Sequence, residues 1–369
     1  NASYDVPNAQ SMITFFPAFT VTQAALAKYL YNSPEKATKL IAPWYNMIRT
    51  TIYGGITQHG ETVGNLCADL NGMPGGAKEG MDGEHSIAPI FAPMSEQGEQ
   101  ELIEEEIPIM QLSRRLMKDN QGFGKYRGGQ GYQMFVTQKE SDFFGFMTTT
   151  IGSKYPSTYG IYGGYACPAY PLAKIKGIDI FEIMKNEPEK MVYTTEEIMN
   201  NRPFENATYT THHGGLQFEL AQEGEIYIIT QGAGGGYGDV LDRDPELVIK
   251  DVEENLISEE TANRIYKVFF NPETLILDSE KTEEARRKER EDRKKRGIAY
   301  QEFVKNWVTD TPPANLPFYG SWKEKNVIYA GSPDNYMTEG NLKAVWLPNP
   351  KDVRIAELET ELKELGDKR

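Results

Sequence analysis

Two cysteines, Cys67 and Cys167, are too few among 369 residues for a disulfide framework, and they lack the spacing of a zinc site. Their scarcity fits a reducing, cytoplasmic compartment. Histidine is nearly as scarce, with His59, His85, His212 and His213 making up the four. A centre built from imidazoles alone would have to draw on most of them. Basic charge is short too: 39 Lys and Arg stand against 54 Asp and Glu, for a formal charge of −15. That balance argues against a nucleic-acid binder, which holds phosphates through a surplus of cations. No apolar run reaches the length that spans a bilayer, and no basic-then-apolar leader follows Asn1. Internal repeats and low-complexity stretches are missing as well. The length suffices for two or three cores.

What the chain has in quantity is glycine, 34 in all. Five fall within residues 231–239, Gln-Gly-Ala-Gly-Gly-Gly-Tyr-Gly-Asp. Residues 224–230 before them alternate and are β-branched, so a strand is expected to run into the turn. Behind it, Asp244 is placed to cap a helix, with Pro245 at a first position that has no N–H to lose. Glycines so dense mean either positive φ or close approach of other atoms. Two readings stay open. The N–H groups of Gly232, Gly234, Gly235 and Gly236 converge on a ligand, as successive amides can on an anion, or the glycines only permit tight turns. No Gly-Lys-Ser/Thr follows, and the spacing is not that of a dinucleotide fingerprint.

Two further glycine segments carry chemistry. Residues 69–85 bring Asp69, Asp82, Glu84 and His85 into one stretch, a donor set that suits Mg²⁺ or Mn²⁺ or else a turn-rich loop. Residues 119–131, Asp-Asn-Gln-Gly-Phe-Gly-Lys-Tyr-Arg-Gly-Gly-Gln-Gly, set Arg127 among glycines. Its planar fork can meet a carboxylate or phosphate, or pair with Asp119 to pin the turn. His59 is a general base or ligand, or a loop histidine satisfied by backbone. His212 and His213, expected just before a strand, are turn residues or ligands.

Hydrophobic spacing predicts a helix over residues 17–31, β structure from Trp44 to Gly55, and an edge strand over 107–112 after an acidic, solvated run at 96–106. Residues 132–136 and 143–150 read as a hairpin about the polar turn 137–142, and 172–176 as a short strand. A capped helical turn is expected at 194–199, and helices at 245–255 and 259–266. Residues 280–296, dense in both charge signs, read as an exposed helix bridging two bodies. Trp307, Trp322 and Trp346 lie in a Pro-rich extension, followed by an amphipathic helix at 353–365. The fold class expected is α+β: a mixed β-rich core with glycine-rich turns, peripheral helices and an extended aromatic C-terminal tail. Three regions are expected: 1–90 mixed α/β, 91–278 the β-rich core, and 279–369 the charged helix with its tail.

Taken together, these segments resemble the hydantoinase B/oxoprolinase family. Asp119, Gly122, Gly124, Arg127, Gly128, Gly129 and Gly131 match its pattern residue for residue; Gly75, Gly76, Asp82 and Gly83 match loosely. The turn at 231–239 and the segment after it, to Asp278, complete the likeness, which covers roughly three quarters of the chain. The tail beyond is similar to that of the large α-type subunit of the ATP-dependent acetone and acetophenone carboxylases, in its C-terminal half. The resemblance implies that the chain begins mid-subunit in a cytoplasmic hetero-oligomer that joins acetone and bicarbonate, with ATP, to give acetoacetate. It implies a β-type partner that binds ATP and Mg²⁺, a small γ-type partner that carries zinc, and a divalent metal, expected to be manganese, in the complete subunit. The metal ligands are expected in the other half of that subunit, so none is carried over. Arg127, His59 and Asp82 are the candidate catalytic residues. Hydrolysis of a cyclic amide, as by a hydantoinase or 5-oxoprolinase subunit, and a purely structural assembly role are the alternatives.

Overall fold

The computed structural model describes residues 9–31, 40–44, 51–67, 74–85, 99–148, 158–168, 170, 172–212 and 218–307, all within the unit formed by 1–329. The expectations for Asn1, Asp69, His213, Trp322, Trp346 and the helix at 353–365 lie outside the described residues.

Two antiparallel sheets form the centre of this α+β fold. One runs β2 (Thr62–Cys67), β1 (Thr51–Ile56), β5 (Phe144–Thr148), β8 (Glu219–Leu220) in order. The other runs β3 (Ile109–Leu116), β4 (Tyr132–Gln138), β9 (Ile226–Thr230), β6 (Leu172–Lys176), β7 (Thr208–His212). The strands alternate apolar residues, and each face of the five-stranded sheet serves its own core. Tyr132, Met134 and Val136 of β4, with Tyr227 and Ile229 of β9, meet Phe144 and Phe146 of β5 between the sheets. Phe135, Ile226 and Ile228 point the other way. There they meet Ile180 of α3 (Ile180–Asn186) and Ile198 and Met199 of α4 (Thr195–Asn201). Burying side chains of this size stabilises by about 1.5–3 kcal/mol each. Asp179 and Thr194 cap the two helices through their side chains, the second as expected.

The expected hairpin of β4 and β5 does not form. β4 pairs with β3 and β9, whereas β5 pairs with β1 and β8. The residues expected to form its turn carry the chain from one sheet to the other. All seven residues of β4 are buried, and both its hydrogen-bonding edges are taken, by β3 and β9, which leaves no ladder for β5. Among the described residues β3 pairs only with β4 and is an edge, with Pro108 just before it as a missing donor requires. The acidic run ends in α2 (Gln100–Glu106), of which only Ile103 is buried.

Helix α1 (Ala9–Leu30) starts eight residues before the expected position and lays Ala24 and Ala27 against Ile161 and Tyr237. After the glycine turn come α5 (Pro245–Glu253), capped by Asp244 as expected, and α6 (Glu259–Thr261), capped by Ser258 and continued by a wider turn to Tyr266. The charged helix is α7 (Ser279–Arg296), with Asp278 at its cap. It does not bridge two bodies among the described residues but lies along the core. Arg286 donates to the Tyr266 carbonyl, Arg290 to the Leu241 carbonyl, and Arg293 to both Asp239 oxygens. A short helix, α8 (Tyr300–Trp307), follows.

Candidate functional site

Three glycine segments, residues 74–85, 119–131 and 231–244, come together at one end of the sheets. They lie backbone on backbone. Gly122 donates to the Gly234 carbonyl (2.9 Å), Gly234 to Gly129 (2.9 Å) and Gly129 to Gly75 (2.8 Å). A Cβ added at Gly234 would stand 1.9 Å from the Gly75 oxygen, and one at Gly128 2.0 Å from the Gly234 oxygen. Close approach, not dihedral freedom, is what these positions require. Of the five glycines in the turn only Gly238 has a left-handed φ, +76°. The N–H groups of Gly234, Gly235, Gly236 and Gly238 donate to the carbonyls of Gly129, Pro43, Tyr165 and Ile161. Gly232 lies in the same layer, its oxygen 2.5 Å from where a Gly131 Cβ would stand.

The layers are clamped by four charged side chains. Asp82 accepts the Arg127 N–H at 2.7 Å and a two-pronged contact from Arg243, at 2.7 and 2.9 Å. Asp251 accepts from Arg127 Nε at 2.9 Å and from Arg243 Nη2 at 2.8 Å. Arg243 and Asp251 are almost wholly buried, Arg127 nearly so, and Asp82 is partly open. Local structure aims each group. Asp239 caps the turn Val240–Asp242, which leaves Arg243 in an extended link between that cap and the Asp244 cap of α5. Asp251 lies on the face of α5 that also buries Val248. Burial alone would raise the Asp82 carboxyl, but the Arg243 fork and the Arg127 charge outweigh it and hold it below its ordinary value. Burial of Tyr266 against this group pushes its phenol up, so it stays neutral. Two guanidiniums and two carboxylates balance in charge. The arrangement is a brace across segments 45 to 161 residues apart in sequence.

His85 is held neutral beside it. Its Nδ1 accepts the Gln130 N–H at 2.9 Å. Burial and then the Arg127 charge push its pKa down to about 4, against a weaker pull from Asp82 and Glu254. The unfolded chain therefore takes up a proton near pH 6.5 that the folded chain refuses. Stability from this group is complete above about pH 6.5 and is lost as pH falls towards 4. The loss is at most about 3 kcal/mol, and less to the extent that solvent reaches the ring. Denaturant unfolding from pH 7 to 4 is expected to show this slope, and His85→Asn, which keeps an acceptor, is expected to flatten it above pH 5.

Asp82 and Arg127 are thus brought together, with Gly234 packed on the same layer. His59 is apart from them, exposed on the turn between β1 and β2, with its Nε2 3.0 Å from the Glu105 carbonyl. Glu84 is exposed beside the brace. His212 closes β7 instead of preceding a strand. Of the two readings for Arg127, the side chain does meet a carboxylate, that of Asp251, and the pair with Asp119 does not form. Asp119, at φ +56°, instead accepts the Ser258 N–H at 2.8 Å, while Arg127 reaches partners 45 and 124 residues away. Arg243 and Asp251 escaped sequence reading. Their one signal was a carboxylate on the apolar side of α5, three residues after Val248. Cys167 is buried, with its thiol pushed up to about 12 and accepting the Ala233 N–H. Among the described residues no group of three or more His, Cys, Asp or Glu is arranged to hold a metal, and no helix is long and apolar enough to cross a membrane.

A second buried polar group lies between the sheets. Lys174 and Lys176 of β6 each reach Glu219 of β8 at 2.8 Å, and the Tyr227 hydroxyl donates to Glu219 at 3.2 Å. It ties the sheets at their far edge.

Comparison with known proteins places this geometry. The hydantoinase B/oxoprolinase family profile matches residues 1–240. The chain is 29% identical over 280 residues to the acetophenone carboxylase delta subunit of Aromatoleum aromaticum, covering 75% of this chain and 41% of that one. It is 27% identical over 278 residues to the caprolactamase subunit beta of Pseudomonas jessenii, covering 73% and 42%. Its fold is like that of acetone carboxylase solved without nucleotide, with a TM-score of 0.74 at 23% identity, over 80% of this chain and 40% of that one. The chain spans about two fifths of the length of these relatives.

Proposed function

Because the chain belongs to the hydantoinase B/oxoprolinase family, we propose that it is part of the large subunit of an ATP-dependent ketone carboxylase, and that its own share of the work is support. The observation that carries the reading is the match to the acetophenone carboxylase subunit over three quarters of the chain. The fold likeness to acetone carboxylase supports it. In such a reaction the carbon beside the ketone carbonyl loses a proton and bonds to the carbon supplied by bicarbonate. ATP drives the loss of a bicarbonate oxygen as phosphate. ATP is assigned to a partner subunit. The metal of such an enzyme is assigned to the other half of the subunit, and no metal-binding donor set forms among the described residues.

What the chain supplies is a mount. Catalysis needs reacting groups fixed closely, and a displacement of about 1 Å can cost on the order of 100-fold in rate. A layer of glycine backbone, hydrogen-bonded segment to segment and cross-braced by buried ion pairs, deforms little, because moving one segment breaks contacts to the others.

Caprolactamase is also a relative, so ATP-dependent opening of a cyclic amide is the second reading. ATP turnover by the native assembly separates the two. Acetone or acetophenone with bicarbonate is expected to stimulate turnover, and caprolactam or hydantoin is not. Stimulation by the cyclic amides alone would replace the proposal with the second reading.

A further inference from the structure

The loop of residues 158–168 holds one residue in a conformation that its type seldom adopts. Tyr162 has φ +53°, in the left-handed region. There the Cβ of an L-residue crowds its own backbone, and for a bulky side chain the position is an outlier. Other residues in that region have local reasons to be there. Arg202 and Lys267 close helices, where a left-handed residue helps to satisfy the last carbonyls. Asn206 and Asn255 are of the type that tolerates the region. Tyr162 ends no helix, and it is the one aromatic among the eight described non-glycine residues with positive φ. The contacts that hold it there come from outside its own loop.

Its ring stands between two other segments. On one side it stacks on Tyr31, just past the end of α1, with centroids 4.4 Å apart. On that side its hydroxyl also donates to the Ala27 carbonyl, in the last turn of α1, at 2.7 Å. On the other side it meets the Tyr237 ring of the glycine turn edge-on at 5.2 Å. The backbone beside it is tied to the same turn. Ile161 donates to the Gly236 carbonyl and accepts from Gly238, both at 3.0 Å, and the Tyr165 carbonyl accepts from Gly236 at 3.1 Å. Helix α1 itself is lightly held. Of its described side chains only Thr20, Ala24 and Ala27 are buried, while Val21, Leu26 and Tyr29 are exposed. Two alanine methyls remove little apolar surface from water, so the Tyr162 contacts are a large part of what seats the end of this helix.

We infer that Tyr162 is a strained latch that couples the seating of helix α1 to the order of the glycine turn. With α1 seated, the Tyr31 stack and the Ala27 hydrogen bond offset the cost of the left-handed backbone. Strain of this kind persists only where the surroundings over-determine it. When the end of α1 lifts, both contacts go and Tyr162 relaxes to negative φ. Ile161 then turns away from Gly236 and Gly238. Gly238 directly precedes Asp239, whose cap leads into Arg243 of the brace, so the loosening starts where the brace is mounted. A segment with so few buried contacts opens before the core does, which makes α1 the element that releases the turn. The device is a strap over the glycine layer, and it does not depend on which reaction the assembly performs.

The test is amide hydrogen exchange on the full chain in its native assembly. Tyr31→Ala removes the stacking partner at an exposed position and leaves the loop and the turn untouched. It is expected to quicken exchange at Ile161 and Gly238 about threefold to tenfold, the worth of one aromatic pair. Exchange at Ile228, in β9 between two neighbouring strands, is expected to stay as it is. Tyr162→Phe, which loses only the hydroxyl, is expected to act in the same direction as Tyr31→Ala. Tyr162→Gly separates a latch from plain packing. Glycine takes a left-handed φ at no steric cost, so in that background the turn no longer depends on α1. Adding Tyr31→Ala to it is then expected to change exchange at Gly238 by less than about twofold, since the route of the coupling is gone. Unchanged exchange at Ile161 and Gly238 in Tyr31→Ala would overturn the inference. So would an equal quickening at Ile228, or the full Tyr31→Ala effect in the Tyr162→Gly background.

Discussion

Asp251→Ala is expected to lower the stability of the chain by about 3–5 kcal/mol. Removing this carboxylate strips Arg127 Nε and Arg243 Nη2 of partners at 2.9 and 2.8 Å. Both guanidiniums then stay buried with only Asp82 to answer two charges. A buried charge without its partner costs far more than the pair itself contributes, because the desolvation penalty is no longer offset. For a body of this size the change is about 10 °C in melting temperature, at roughly 2–4 °C per kcal/mol. Asp251→Asn keeps the shape and one acceptor, and its loss is expected to be smaller. The control is Glu260→Ala, which removes an exposed helix pair with Arg264 at 3.6 Å. Pairs of that kind contribute about 0–1 kcal/mol. Equal effects of Asp251→Ala and Glu260→Ala would mean that the brace holds nothing.

Gly234→Ala is expected to cost about 3 kcal/mol or more, from one added methyl group. The new carbon would lie 1.9 Å from the Gly75 oxygen and 2.5 Å from its carbon, both main chain. No flexible side chain stands there to swing aside, so the layers must part and break the Gly234-to-Gly129 and Gly122-to-Gly234 hydrogen bonds. Overpacking usually costs about 1–3 kcal/mol, and backbone on both sides puts this site at the top of that range. Gly64→Ala makes the same chemical change where the nearest atom is 3.9 Å away. It is expected to be neutral or slightly stabilising, since it removes the entropic cost of a glycine in a strand. Chemical denaturation of the two variants in parallel measures the difference. Amide exchange at position 234 and at Gly122 is expected to quicken in Gly234→Ala alone.

These two sites also show what sequence reading could reach. The strand before the glycine turn, the Asp244 cap and the Pro245 position were legible because they depend on neighbours within a few residues. The helix at 259–266 and the charged helix were legible for the same reason. The pairing of β4 and β5 was not, because adjacency along the chain suggested a hairpin. β3 and β9 take both hydrogen-bonding edges of β4, and β9 lies about ninety residues away in sequence. Arg127 and Asp82 stood out through their glycine surroundings. Their partners Arg243 and Asp251 did not, because a single charged residue in a helix is ordinary until the burial of that face is known. The glycines named a place where atoms come close. Only the fold shows that the atoms crowding 234–236 are the chain's own backbone, while nothing comes nearer than 3.9 Å to a Cβ at Gly64.

The measurement that bears most directly on the account is incorporation of labelled bicarbonate by the native assembly containing this chain. The account predicts acid-stable label that appears only when ATP and a ketone such as acetone or acetophenone are both present. It also predicts that Asp251→Ala loses incorporation in proportion to the fraction of chain unfolded, as befits a supporting and not a reacting group. No label with any ketone, together with ATP-dependent opening of a cyclic amide by the same preparation, would contradict it.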